Sequence, residues 1–141
     1  MRFPTYTSGM ATTVRHDQRP GLRAHEDSIR LPFAELVSQL RDILGVRAVA
    51  YIGGVKSSRS VSTWAEGAST PGETDQQRLR NAFYAASLLR ESYDATTVQS
   101  WFRGMNPALN DQAPAQVLRE GDQMKAARDV ITAAKSFAHI G

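Results

Sequence analysis

The stretch LPFAELVSQLRDILG, residues 31–45, decides the fold class. Phe33, Leu36, Val37, Leu40, Ile43 and Leu44 recur at steps of three and four, so a helix gathers them on one face, and Gly45 supplies its stop. The pattern then continues along the chain. A short helix is predicted over residues 47–52, where Ala48, Val49, Ala50 and Ile52 suit close packing. Gly53-Gly54 end it, because only glycine enters left-handed geometry cheaply. Ser57 or Ser58 caps a helix running to residue 66, with Val61 and Trp64 on one face and Gly67 at its close. Thr70-Pro71-Gly72-Glu73 and Thr74-Asp75-Gln76-Gln77 both have capping-box form. A long helix is therefore predicted from near Thr74 to about residue 92, burying Leu79, Ala82, Phe83, Ala86, Leu89 and Tyr93.

Asp94 caps a further helix that carries Val98, Trp101, Phe102 and Met105. Asn106-Pro107 end it, since proline disfavours helix in the residue before it. Pro114 belongs in the first turn of a short helix that stops at Gly121. The last helix starts from Asp122 and carries Met124, Ala127, Val130, Ile131, Ala134 and Phe137 at helical spacing. No run alternates with a period of two and no segment repeats, so the expected class is all-α, a compact helical bundle.

At 141 residues the chain suffices for one ordinary domain or two small modules sharing one core. Its 41% hydrophobic and 22% charged residues lie in the globular range, which excludes disorder throughout. The absence of cysteine excludes disulfides, thiolate zinc sites and a cysteine nucleophile, and points to a reducing cytoplasm. No apolar run is long enough to span a bilayer, and MRFPTYTSGMATTVR has no signal-like apolar stretch, so no membrane partner is expected. The net charge of +3 is a mild preference for polyanions, with the cation excess in the N-terminal half.

Residues 1–28, rich in Thr, Arg, Gly and Pro, are predicted to form a flexible arm. His16-Asp17 and His25-Glu26-Asp27 in that arm have the residue types of metal ligands. Without a helix or strand to fix their geometry they read as solvated charges, and neither a metal nor a cofactor is expected. Catalysis has little to stand on. The histidines lie in the arm or at the C-terminus, Gly53-Gly54 lacks the lysine and third glycine of a phosphate loop, and no carboxylate pair forms a recognisable site.

Residues 29–70 have the parts of a helix-turn-helix-like DNA-binding module. Ala50 is small enough for the crossing of two helices, Gly54 makes the turn, and Val61 and Trp64 anchor the second helix. The outward positions are then Ser58, Arg59, Ser60, Ser62 and Thr63, with Lys56 just before them. Arg59 suits a bidentate contact to guanine, the hydroxyls suit bases or phosphates, and Lys56 suits a phosphate. Residues 56–65 hold two cations and no anion, which fits a polyanion. Gly54 to Trp64 is one residue longer than the usual pattern, and the alternative is a helical hairpin that only packs.

Trp101-Phe102, Asn106-Pro107, Leu109, Pro114, Leu118 and Gly121, preceded by Trp64, Gly67, Pro71 and Arg78-Leu79, resemble the antitoxins of the Xre, ParS and MbcA type. The resemblance runs from about Leu31 to Ala138. It implies that residues 71–141 form a toxin-binding helical domain. The implied partner is a RES-domain toxin that consumes NAD, held inactive by the antitoxin's C-terminal region across its active-site entrance. The tail Lys135, Ser136, Phe137, Ala138, His139, Ile140 and Gly141 would make that contact, with Lys135 and His139 bonding polar groups and Phe137 filling an apolar pocket. Trp101, Phe102, Leu109 and Leu118 would build the module's core, and Asn106, Asn110 and Asp111 would serve its turns. A repressor of this kind is expected to bind operator DNA as a homodimer and to form higher hetero-oligomers with its toxin. An orphan helix-turn-helix regulator with no toxin partner is the alternative, and a scaffold with neither partner is a third class.

Overall fold

The computed structural model of the chain describes residues 21–140, with side chains as far as His139. It is all-α. The helices are α1 (Leu22–Arg30), α2 (Phe33–Leu44), α3 (Val46–Ile52), α4 (Ser58–Ala65), α5 (Glu73–Arg90), α6 (Ala95–Arg103), α7 (Pro114–Glu120) and α8 (Gln123–Ile140). The 3-10 turn Pro107–Leu109 precedes α7, and among the described residues no strand forms beyond the isolated bridge between Asn106 and Gln112.

Helix α5 is the hub. Leu79, Ala82, Phe83, Ala85, Ala86, Leu88 and Leu89 are all buried, so its C-terminal half is covered on most of its circumference. Helices α1, α2 and α8 pack along it, and α2 supplies Phe33, Leu36, Val37, Leu40 and Leu44 to the same core. Helix α8 closes the other side with a stripe of Ala126, Val130, Ala133 and Ala134, small residues that let it approach α5 closely. One apolar cluster runs from Ala24 through to Ala134. Burying each Leu, Val or Phe of it stabilises the fold by roughly 1.5–3 kcal/mol.

Several helix ends carry the caps the sequence suggests, but α5 begins at Glu73 after Gly72 with no side-chain cap, so neither expected capping box forms. Ser57 accepts from the Arg59 N–H at 3.0 Å and Asp94 from the Thr97 N–H at 2.9 Å. That bond, joined by one from the Thr97 hydroxyl, holds the Asp94 carboxyl below its ordinary value. Asp122 accepts from the Lys125 N–H at 3.1 Å, and Pro114 opens α7. Asn106 caps the 3-10 turn through the Ala108 N–H, and Asn110 and Asp111 take left-handed backbone, so all three are turn residues as expected.

Several expectations need correction. Residues 1–20, with His16-Asp17, lie outside the described residues, but the rest of the expected arm is helical. Helix α1 buries only Ala24 and Ser28, and polar ties hold it. The Arg80 guanidinium donates to the Ser28 carbonyl at 3.0 Å, and Gly21 N–H donates to the Glu91 carboxylate at 3.1 Å. His25 packs against the Tyr84 ring at 5.1 Å, and no cluster of three metal-ligating side chains forms among the described residues. Met105, expected on the buried face of α6, is 80% exposed because that helix stops at Arg103 and Gly104 is already extended. Met124 lies in α8 as expected but is equally exposed, since two positions before Ala126 is about 200° round the helix from the buried stripe. Tyr93 is half-buried rather than buried. No described helix is long and apolar enough to cross a membrane.

Candidate functional site

Helix α3 ends in a turn that satisfies its last carbonyls. Gly54 N–H donates to Tyr51 O at 3.1 Å and Val55 N–H to Ala50 O at 3.0 Å, with Gly54 at φ 78°. Gly53 is a different case from the sequence expectation. Its backbone is right-handed helical, at φ −74° and ψ −4°, and the reason for glycine is the Trp64 ring. A Cβ on Gly53 would lie 3.0 Å from Trp64 Cζ3. The indole is 5% exposed and meets Phe33 edge-on at 6.3 Å, so it fixes α4 against α2 and α3.

Gly53 to Ser57 make a five-residue connection between α3 and α4, against three or four in the usual motif. The added length is taken up there, and Val61 and Trp64 still reach the core. Lys56, Ser58 and Arg59 are exposed at the leading edge of α4, while Ser60, Ser62 and Thr63 are half-buried. The Thr63 hydroxyl is already engaged, donating to Ser60 O at 2.9 Å and accepting from the Ser69 hydroxyl at 3.0 Å. The exposed polar face of α4 is thus concentrated at its N-terminal end.

The predicted tail residues lie along the last turns of α8. Lys135, Ser136, Ala138 and His139 line a cleft with Leu88, Glu91 and Ser92 from the end of α5. Lys135 and His139 are exposed, and Lys135 Nζ stands 5.9 Å from the centre of the Tyr84 ring. Phe137 belongs to another face. Its ring lies 5.0 Å from Tyr93 and 6.4 Å from Trp101, and its carbonyl accepts from the Tyr93 hydroxyl at 3.1 Å. At 38% exposure it works as an anchor for α8 as well as a surface residue. Ile140 continues the helix, its side chain lies outside the described residues, and Gly141 lies outside them altogether.

Trp101, Phe102, Leu109 and Leu118 are core residues, and α7 ties their block to the rest of the bundle. Gly121 caps the end of α7 in extended backbone, and a Cβ there would stand 2.8 Å from Val117 O, so the position calls for glycine. Arg78, near the start of α5, pairs with Asp75 and donates to Arg119 O at 2.8 Å. Arg119 in turn donates to Tyr51 O at 2.9 Å, with its guanidinium 4.6 Å from the centre of the Tyr51 ring. Arg119, Tyr51 and Arg47 then share a groove with Lys56 and Ser58. This juxtaposition is not visible in the sequence, where Arg47 and Arg119 stand far apart on segments with no common periodicity.

No protein-family model and no curated protein matches the chain. Among solved structures, a chain of the M. tuberculosis MbcT-MbcA toxin-antitoxin complex matches with 28% sequence identity and a TM-score of 0.58. The match covers 73% of this chain and 94% of that one.

Proposed function

We propose that this chain, MbcA-like at the level of family, is an antitoxin that neutralises a RES-domain, NAD-consuming toxin and represses its own operon by binding operator DNA. The observation that carries the antitoxin role is the match to a component of a toxin-antitoxin complex over nearly the whole of that component. On this reading the protein does no chemistry of its own. The end of α8 lies across the toxin's active-site entrance, where the Lys135 ammonium and the His139 imidazole suit the polar groups of a nucleotide pocket. The exposure of both side chains beside one cleft supports that role. Phe137, held by Tyr93 and Trp101, keeps the last turns of α8 in place.

The test is co-expression with the protein encoded by the neighbouring reading frame, scoring growth and co-purification. The full chain should rescue growth and co-purify, and removal of residues 135–141 should release the toxin. Retained inhibition after that deletion rejects the tail as the blocking element. Exposed Lys56, Ser58 and Arg59, with no anion in residues 56–65, favour DNA binding by α4. A homodimer would then present two copies of α4 to half-sites about one DNA turn apart. Sequence-preferring DNA binding without growth rescue would mark the chain as an orphan regulator instead.

A further inference from the structure

Where α3 meets α7, the charged side chains that line the surface clefts are cations, while the exposed Glu120 of α7 stands outside the lining and accepts from the Gln116 amide at 3.3 Å. Arg47, Tyr51, Lys56, Ser58 and Arg119 wall one groove, which continues past Arg47 and Tyr51 into a more apolar channel flanked by Arg103. Neither stretch includes an Asp or Glu. Other clefts of the molecule do: Glu91 lines the one beside the tail, and Asp122 and Asp129 line another. The ion pairs among the described residues are Arg23–Asp27, Arg78–Asp75 and Lys125–Asp129, so Arg47, Lys56, Arg103 and Arg119 have no carboxylate partner there. Arg47, Lys56 and Arg119 converge on one groove and Arg103 flanks its continuation, so their placement, rather than the mere lack of ion partners, concentrates positive charge here.

Arg119 is also prearranged. Its hydrogen bond to Tyr51 O and its position over the Tyr51 ring hold the guanidinium, while Arg78 holds its carbonyl from behind. A guanidinium carries about five N–H donors. Tyr51 O takes one of them, which leaves donors in place for an anionic ligand. Holding an arginine in advance lowers the entropy lost when it binds a planar oxyanion such as a phosphodiester.

We infer that this groove seats the phosphodiester backbone of a DNA duplex whose bases are approached by α4, so that Arg119, on α7 in the C-terminal half, belongs to the DNA interface together with Arg47 and Lys56. The inference rests on the proposed DNA reading and extends it to residues outside the helix-turn-helix-like segment. Continuity selects a duplex over an acidic protein. Lys56 and Ser58 are at once groove residues and the start of α4, and the backbone flanks any helix end inserted in a major groove.

The experiment uses the full chain with a duplex taken from upstream of its own reading frame and a shuffled duplex of equal composition. Fluorescence anisotropy titrations are run over a series of salt concentrations. Each phosphate contact contributes about 0.9 to the slope of log affinity against log salt. Arg47→Gln and Arg119→Gln should each lower that slope by about 0.9 and weaken both duplexes alike, whereas Arg59→Ala should narrow the difference between the duplexes. Arg119→Lys keeps the charge and should keep most of the slope. Arg47 makes no side-chain hydrogen bond among the described residues, so its variant decides the matter if Arg119→Gln disturbs the fold. Unchanged slopes in the arginine variants, with the wild type still binding, overturn the groove and leave the reader standing. That is also the result expected if the groove takes an acidic protein. Reduced slopes with Arg59→Ala inert support the groove and remove Arg59 as reader. No binding of either duplex by the wild type overturns both.

Discussion

Replacing Gly53 by alanine gives opposite signs under two explanations of why α3 ends where it does. Gly53 sits at φ −74° and ψ −4°, which alanine adopts without strain. On backbone entropy alone the substitution would stabilise the protein by about 0.5–1 kcal/mol. The Trp64 ring argues the other way. The new Cβ would stand 3.0 Å from Cζ3 and 3.1 Å from Cη2 of the indole, and 3.1 Å from Val49 O. Neither neighbour yields readily, because the indole is buried against Phe33 and Val49 O accepts the Gly53 N–H at 2.9 Å. Overpacking of this kind costs roughly 1–3 kcal/mol. The net expectation is a loss of about 0.5–2 kcal/mol, or on the order of 2–8 °C in Tm. Urea melts of Gly53→Ala in the wild-type and Trp64→Phe backgrounds measure it. Phenylalanine lacks the outer ring atoms that clash, so in that background the alanine should be neutral or stabilising, and the cycle should show a coupling of about 1–3 kcal/mol. A neutral or stabilising Gly53→Ala in the wild type refutes the steric account, as does an equal cost in both backgrounds. Gly54→Ala is the control. At φ 78°, with its nearest neighbour 3.8 Å away, it should cost about 1–2 kcal/mol through the backbone alone, independently of Trp64.

Ser57→Asp keeps a good cap for α4 and places a carboxylate beside Lys56 and Arg59. Its melting temperature should stay near that of the wild type while DNA affinity falls, and unchanged affinity would count against that edge of α4 as a DNA surface. Asp94 supplies a pH test. Its carboxyl is held below the ordinary 3.8, first by the Thr97 N–H and then by the Thr97 hydroxyl, with a smaller pull from Arg90. A carboxyl lowered in the folded state contributes its full stabilisation above its unfolded value and loses it as pH falls through the folded one. Thermal melts taken down through the carboxylate range should therefore show Asp94→Asn less acid-sensitive than the wild type, and identical acid profiles would show the cap to be energetically silent.

Much of the bundle was legible because its helices carry their own punctuation. The apolar spacing of Phe33 to Leu44, the Ser57 and Asp94 caps, Pro114 and Gly121 are local signals, and each marks a boundary to within a few residues. Helix α1 was missed because it has almost no apolar face. Its polar ties, Glu91 to the Gly21 N–H and Arg80 to the Ser28 carbonyl, come from more than fifty positions away, and no local pattern encodes that. The methionines misled because helical phase was extended past where backbone geometry allows. Met105 follows Gly104, and Met124 precedes the stripe it was assigned to. At the tail, Lys135 and His139 were singled out by the resemblance and their position at the chain's end, and the contacts of Phe137 with Tyr93 and Trp101 depend on how α8 crosses the ends of α5 and α6. The cationic groove was illegible for the same reason, being made where α3 and α7 meet.

The expected division near residue 70 falls in the connection between α4 and α5, and one core runs across it. Trp64 and Val61 share one apolar cluster with Phe83, Phe102 and Leu118. Arg78, Arg119 and Tyr51 add a hydrogen-bonded link from α5 through α7 to the end of α3. On the proposed function, the DNA edge and the toxin-facing tail are therefore two surfaces of one body. A ligand shifts an equilibrium only when two states differ in their affinity for it, and the continuous core holds both surfaces in one packing here. On that reading a bound toxin acts on DNA affinity without rearrangement, through its charge near the groove and through the number of antitoxin copies it holds together, with effective concentration setting the size of the effect.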